Sequence, residues 1–208
     1  MMSSHLKFIN LAHDFAFKNL GKTFPNPSVG CIISKNNKII SKGVTSGTGR
    51  PHAEEIALKK AGKQAKGATM YVTLEPCFHS SQNGSCADQI LRSGIKEIYV
   101  SCVDQDPRTN NKSISKLKRN KIKVILGIQK DRTIKTNNFF FKSLVKKKPF
   151  TKVKMAISSD DKIAWENYKS KWITNSKSRR YVHSLRLKTQ AILTTSKTII
   201  KDLSLIHI

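Results

Sequence analysis

Apolar and polar positions along the chain fall into short, distinct periods. In residues 4–20, Leu6, Ile9, Leu11, Ala12, Phe15 and Ala16 recur at the spacing of one helical face, which predicts an amphipathic helix. Thr23-Phe24-Pro25-Asn26-Pro27-Ser28 follows. Its two prolines lock φ and remove amide donors, so a rigid, extended loop is expected. Val29–Ile33 reads as a strand, and Lys35-Asn36-Asn37-Lys38 as a hairpin turn into Ile39-Ile40-Ser41. A loop from Gly43 to Gly49 precedes a helix that runs from His52 and stops at Gly62. Thr69–Leu74 is a strand pattern, a loop holds Cys77 to Cys86, and the stretch ADQILRSG predicts a helix ending at Gly94. Strand Glu97–Val103, helix 113–120 and strand Lys123–Leu126 complete the order α-β-β-α-β-α-β-α-β. That order implies a mixed sheet covered by helices.

Lys146-Lys147-Lys148-Pro149 interrupts both periodicities and reads as a linker. A new β pattern starts at Phe150–Ile157, followed by a helix-like stretch at 176–188 and a strand pattern at Ala191–Thr195. The organisation expected is a first domain over residues 1–148 and the start of a second over 149–202, with too little chain to close a second core. There are no internal repeats.

The length of 208 residues suits one good core, or one core and part of another. With 38% apolar and 25% charged residues the composition is that of a soluble globular protein. No apolar run reaches membrane-spanning length. The N-terminal segment has helical spacing and no small-residue cleavage site, so a cytoplasmic protein is expected. In that setting Cys31, Cys77, Cys86 and Cys102 read as thiols or metal ligands rather than a disulfide framework. The formal charge of +26 raises the question of nucleic acid. Only eight of the 39 basic residues are arginine, however, and the lysines are spread over nearly every segment without interleaved aromatics. Compositional bias of an AT-rich genome explains this better, and a phosphorylated small substrate would also benefit from the field.

The chemistry lies in three places. His52-Ala53-Glu54 opens a helix, Pro76-Cys77 follows a strand end, and Cys86 opens the next helix. One imidazole and two thiolates suit zinc, which takes three protein ligands and an open position when it is catalytic. Thiolates are favoured at helix N-termini. Glu54, two residues from His52, is placed to move protons to and from a water without joining the metal. Each piece alone is weak, but this order of H-x-E, T-L-E-P-C and a helix-start cysteine is specific for a zinc deaminase. Cys31 and Cys102 sit in strand runs and read as core thiols.

The spacing of eight residues between Cys77 and Cys86, with PNPSVG, PHAEEIAL, ATMYVTLEPC and DQDP, resembles the bifunctional riboflavin-biosynthesis deaminase–reductases. The likeness covers residues 5–202. It implies a cytidine-deaminase-like three-layer α-β-α domain, then the incomplete start of a dihydrofolate-reductase-like α/β domain. It implies hydrolytic removal of the C2 amine of 2,5-diamino-6-(5-phosphoribosylamino)pyrimidin-4(3H)-one, and, in the intact protein, NADPH-dependent reduction of the ribosyl group. It also points to homo-oligomers. By the same resemblance Asn26 and His79 lie at the pyrimidine pocket. Simple turn chemistry would equally account for Asn26, and a surface loop for His79. In the second part Ala156, Trp172, Thr198 and Asp202 fall at NADP contacts, and Ser170 and Arg186 at substrate contacts. A core aromatic and a solvated helix charge are the plainer readings of Trp172 and Arg186.

The chain departs from the family pattern at three points. Ser81–Ser85 replaces a G-x-T-P-P loop, Asn111-Lys112-Ser113 replaces G-x-G, and Asp161 replaces a glycine. Residues 203–208, LSLIHI, look like a reading frame of a sequencing adapter and are expected to be foreign to the gene. Two other functions remain to be weighed. A tRNA or nucleic-acid base deaminase would share the zinc chemistry, but its second cysteine stands two residues after the first. A non-catalytic zinc-stabilised RNA-binding module would have no use for Glu54.

Overall fold

The computed structural model describes residues 2–79, 84–167 and 172–201. It divides into two units, Met1–Thr151 and Lys152–Ile208. In the first, strands β1 (Gly30–Lys35), β2 (Lys38–Val44), β3 (Thr69–Val72), β4 (Glu97–Val100) and β5 (Lys123–Leu126) form one sheet in the order β2-β1-β3-β4-β5. β1 runs antiparallel to both β2 and β3, while β3, β4 and β5 are parallel. The β1–β2 connection is the anticipated two-residue turn. Asn36 and Asn37 both take positive φ, 50° and 61°, as a turn matched to strand twist requires.

Alternation along the strands sorts side chains onto two faces. Ile32, Tyr71 and Tyr99 pack with Phe8, Ile9 and Ala12 of helix α1 (Met2–Lys18). Cys31, Ile33, Met70, Val72, Ile98 and Val100 belong to the larger core on the other face. That core also holds Ala53, Ala57 and Ala61 of α2 (Ala53–Ala61), Ile90 of α3 (Cys86–Ser93) and Leu117 of α4 (Lys112–Arg119). The alanine stripe lets α2 lie low on the sheet. The approach is closest at Gly43, where a Cβ would fall inside the van der Waals envelope of the Ala53 carbonyl oxygen.

Two helices were not expected from the pattern, α5 (Lys130–Thr136) and α6 (Asn138–Lys146). Their buried positions include polar side chains. Thr133 is fully buried and donates its hydroxyl to the Thr73 carbonyl at 2.7 Å. Asn137, 1% exposed, receives the Ser28 amide at 2.8 Å and donates to the Ser28 carbonyl at 3.0 Å. A polar residue at the buried position of α5 erases the apolar period there, whereas in α6 the consecutive Phe139-Phe140-Phe141 sets no helical period of its own.

In the second unit, α7 (Ser176–Arg186) lies where the 176–188 pattern put it, and α8 (Ser196–Lys201) follows. The strands expected at Phe150–Ile157 and Ala191–Thr195 are absent: these residues join no ladder, and Val153 and Leu193 are 84% and 100% exposed. A strand pattern yields a strand only beside a neighbour that can accept its hydrogen bonds. Residues 203–208 lie outside the described residues. No described helix is long and apolar enough to cross a membrane.

Candidate active site

The parallel strands β3 and β4 end side by side, and the segment leaving β3, Thr73-Leu74-Glu75-Pro76-Cys77, turns past the end of β4. Strand ends of parallel units are where α/β folds place ligands. The Glu75 amide donates to the Cys102 carbonyl at 2.8 Å, which holds the segment against the end of β4. Two helices start here. His52 is the extended N-cap residue of α2, and Cys86 is the first residue of α3, after the N-cap Ser85. The Ser85 hydroxyl accepts the Asp88 amide at 3.1 Å, and the Asp88 carboxylate receives the Ser85 amide, so this start is fixed from both sides.

One ligand atom each from His52, Cys77 and Cys86 lies within 4.8 Å of the other two. His52 Nδ1 stands 3.3 Å from Cys86 Sγ, and the Cys86 amide donates to Cys77 Sγ at 3.3 Å. Tetrahedral zinc with two thiolates and an imidazole needs donor separations of about 3.5–4 Å. The donor set and its spacing therefore fit zinc. The two thiols share their protons unequally. Donation from the Cys86 thiol, strengthened by His52, brings Cys77 down to about 4, and the same contact together with burial pushes Cys86 up. Burial alone would lower His52, but contact with Cys77 and the charge of Glu54 outweigh it and raise the imidazole.

Glu54, in the first turn of α2, is 3% exposed. Burial pushes its carboxyl up to about 7, with the Cys77 thiolate adding to the shift and His52 opposing it. A carboxyl poised near neutrality can take a proton and return it within one turnover. The charge of Glu54 also adds to the raising of the buried Cys31 thiol, which is led by burial.

The other expected residues are less directly engaged. Asn26 donates its side-chain amide to the Gly49 carbonyl at 2.9 Å, and so ties the Pro25–Pro27 loop to the loop before His52. Gly49 has φ of +80°, and its Cβ position is taken by the Asn26 side chain, so both features require glycine. The His79 carbonyl lies 4.0 Å from Cys77 Sγ. His79 Nδ1 is buried without a hydrogen-bond partner, and the imidazole stands near enough to Asp106 to help hold that carboxyl below its usual range, an effect led by Arg108. In the second unit Ala156 is half-buried, and Trp172 is 70% exposed with the Arg179 guanidinium 4.1 Å from its ring centre. Arg186 closes α7. Thr198 lies on α8, with its side chain undescribed; Ser170 and Asp202 lie outside the described residues.

Several residues around the site escaped the sequence reading. Glu75, 3% exposed, receives the amides of Asp104 (3.2 Å), Asn111 (3.0 Å) and Ile114 (3.4 Å) and the Ser113 hydroxyl (2.7 Å). It thus caps α4 from within the T-L-E-P-C motif. Arg108 holds Asp106 through Nε and Nη2, at 3.0 and 2.6 Å from Oδ2. Glu55 receives the His52 amide at 2.6 Å. The spacing His52-x-x-Glu55 is a capping-box signal that was available beforehand. Nothing in the pattern marked Glu75 as a hub.

Comparison with known proteins agrees with this geometry. Residues 2–102 match the cytidine and deoxycytidylate deaminase zinc-binding region, and residues 149–206 match the RibD C-terminal domain. The riboflavin biosynthesis protein RibD of Aquifex aeolicus is 40% identical over 195 residues, which is 94% of this chain and 55% of that protein. The Escherichia coli protein of the same name is 37% identical over 86% of this chain and 49% of its own length. Among solved structures, the deaminase/reductase of Thermotoga maritima superposes with a TM-score of 0.90 at 37% identity, covering 96% of this chain and 58% of that one. Acinetobacter baumannii RibD gives 0.88 at 37% identity, covering 97% and 57%. The chain spans about half the length of the curated relatives it matches. The fold is cytidine-deaminase-like, followed by the beginning of a dihydrofolate-reductase-like domain. With a zinc-binding deaminase region and a RibD C-terminal region in that order, the chain belongs to the RibD family of riboflavin-biosynthesis proteins.

Proposed function

We propose that this chain hydrolyses 2,5-diamino-6-(5-phosphoribosylamino)pyrimidin-4(3H)-one to 5-amino-6-(5-phosphoribosylamino)uracil and ammonia. The observation that carries the reading is the convergence of His52, Cys77 and Cys86 beside the buried carboxyl of Glu54. Those three residues would hold zinc, which when bound supplies Lewis acidity at its one open position. Glu54 takes a proton from the attacking water as its oxygen bonds to C2 of the pyrimidine. It then delivers that proton to the C2 amine, the C–N bond breaks, and ammonia leaves. Burial of Glu54 keeps bulk water from competing for the proton. Asn26 and His79 are assigned to the pyrimidine pocket, with the unpartnered His79 Nδ1 as the polar atom free to meet the ring.

The division proposed is a deaminase domain over residues 1–148 and a reductase portion over 149–202, in a cytoplasmic protein. In the latter, Ala156, Trp172, Thr198 and Asp202 are assigned to NADPH, and Ser170 and Arg186 to the substrate. Arg186 has the planar donor fork that suits a phosphate. The test is ammonia release by the purified chain from the ribotide, run beside a tRNA substrate. Release from the ribotide supports the reading. Inosine formed in tRNA, with no release from the ribotide, overturns it in favour of a nucleic-acid deaminase.

A further inference from the structure

We propose that Glu55 is a positioning residue, a strut that clamps α2 to α3 and so sets how slowly the site releases its metal. The inference rests on the zinc reading above and extends it to residues that do not touch the metal. Glu55 stands three residues after His52, and Gln89 three residues after Cys86. Residues at that spacing share a helix face. His52 meets Cys86 at 3.3 Å, and one turn further on Gln89 Nε2 donates to Glu55 Oε1 at 3.1 Å. The two contacts form successive rungs between the same pair of helices. A single rung would leave the helices free to pivot about it, whereas a second fixes their relative rotation.

The other oxygen of Glu55 is also engaged. Oε2 receives the His52 backbone amide at 2.6 Å, and Arg50 Nη1 lies 3.5 Å from it. The carboxylate therefore holds the main chain of one ligand residue while gripping the helix that begins with another. Its side chain is only 11% exposed, so water competes little for these bonds. Outer partners that orient ligands in this way commonly change metal affinity ten- to a hundredfold when removed.

An ordinary helix cap would need the bond to the His52 amide but not the bond to Gln89. Gln89→Leu separates the two roles, because it leaves the cap intact and removes the second rung. The full chain is loaded with zinc, and release to excess chelator is timed for the wild type, Gln89→Leu, Glu55→Ala and Glu55→Gln. The visible spectrum of each cobalt(II)-substituted protein and the melting temperature of each metal-free form are also recorded. The expected result is release ten- to a hundredfold faster in Gln89→Leu, with shifted cobalt bands and an unchanged metal-free melting temperature. Glu55→Ala should release at least as fast, while Glu55→Gln, which keeps one oxygen for the His52 amide and offers an NH2 that the Gln89 amide can turn to accept, should stay near the wild type. Unchanged release in Gln89→Leu overturns the strut, as does a faster release fully matched by a lower metal-free melting temperature. If the wild type holds no zinc and Cys86→Ser behaves identically, the metal reading itself fails and the strut fails with it.

Discussion

The buried carboxylate of Glu75 receives the backbone amide of Asn111 at 3.0 Å, and Asn111 holds it there in a left-handed conformation, φ 58°. The contact joins the cysteine-bearing segment after β3 to the first residues of α4. Asparagine tolerates this conformation better than most residues, which explains how the chain manages without glycine at this turn.

Glu75→Ala would strip three backbone amides and one hydroxyl of a buried acceptor at once. A loss of about 3 kcal/mol is expected, since each buried unsatisfied donor costs about 1–3 kcal/mol and relaxation recovers part of the sum. Urea unfolding of the zinc-loaded protein measures it. A loss under about 0.5 kcal/mol would show that the loop repairs its bonds with solvent.

Glu54→Ala should keep one zinc per chain and lose at least a hundredfold in ammonia release, the size typical of general acid–base groups. Metal analysis and turnover on the same sample decide the matter. Unchanged turnover at equal metal content would remove Glu54 from proton transfer.

Cys86→Ser should lower zinc stoichiometry and thermal stability together, because binding free energy at such a site is also folding free energy. Full zinc occupancy in that variant would take Cys86 out of the ligand set.

Asp104 gives a pH signature. Burial pushes its carboxyl up to about 6 from 3.8, with Asp106 and Glu75 adding to the shift while the Asp106 amide and Arg108 oppose it. The raised value means that the folded state favours the protonated acid. The associated stability is complete below pH 3.8 and is lost as the pH rises through 6. Asp104→Asn keeps the acceptor for the Asp106 amide and removes the charge. Its stability relative to the wild type should grow between pH 4 and pH 7, by on the order of 2 kcal/mol. Paired thermal melts across that range check it; a constant difference would place the titration elsewhere.

Asp161 stands at φ 61° in the turn where the Ser158 amide donates to the Lys162 carbonyl at 2.9 Å. Asp161→Gly should relieve about 1 kcal/mol of backbone strain. Slower proteolysis across residues 158–162 would show it, and faster cleavage would contradict it.

Much of the deaminase unit was legible because its elements obey simple periods and stops. The two-asparagine turn, the Gly62 and Gly94 stops and the alternating strands all follow local rules. The metal cluster was legible because ligand types and order are constrained by chemistry. Helix α5 was not, because Thr133 spends its core position on a hydrogen bond to Thr73, and α6 was not, because its consecutive phenylalanines set no helical period. Glu75 stayed hidden for a related reason. Its partners lie 29 to 39 residues downstream, and no local pattern records such a meeting. The strands expected after residue 149 fail for want of neighbours.

Gly43 places the alanine-striped face of α2 directly against main-chain atoms of β2, with no side chain between. The seat of His52 and Glu54 is therefore set by backbone against backbone, a distance that rotamer changes cannot alter. Side chains elsewhere on the sheet can be exchanged, but the imidazole of His52 and the carboxyl of Glu54 travel with the sheet. The relative placement of these two groups is thereby insulated from side-chain change elsewhere in this chain.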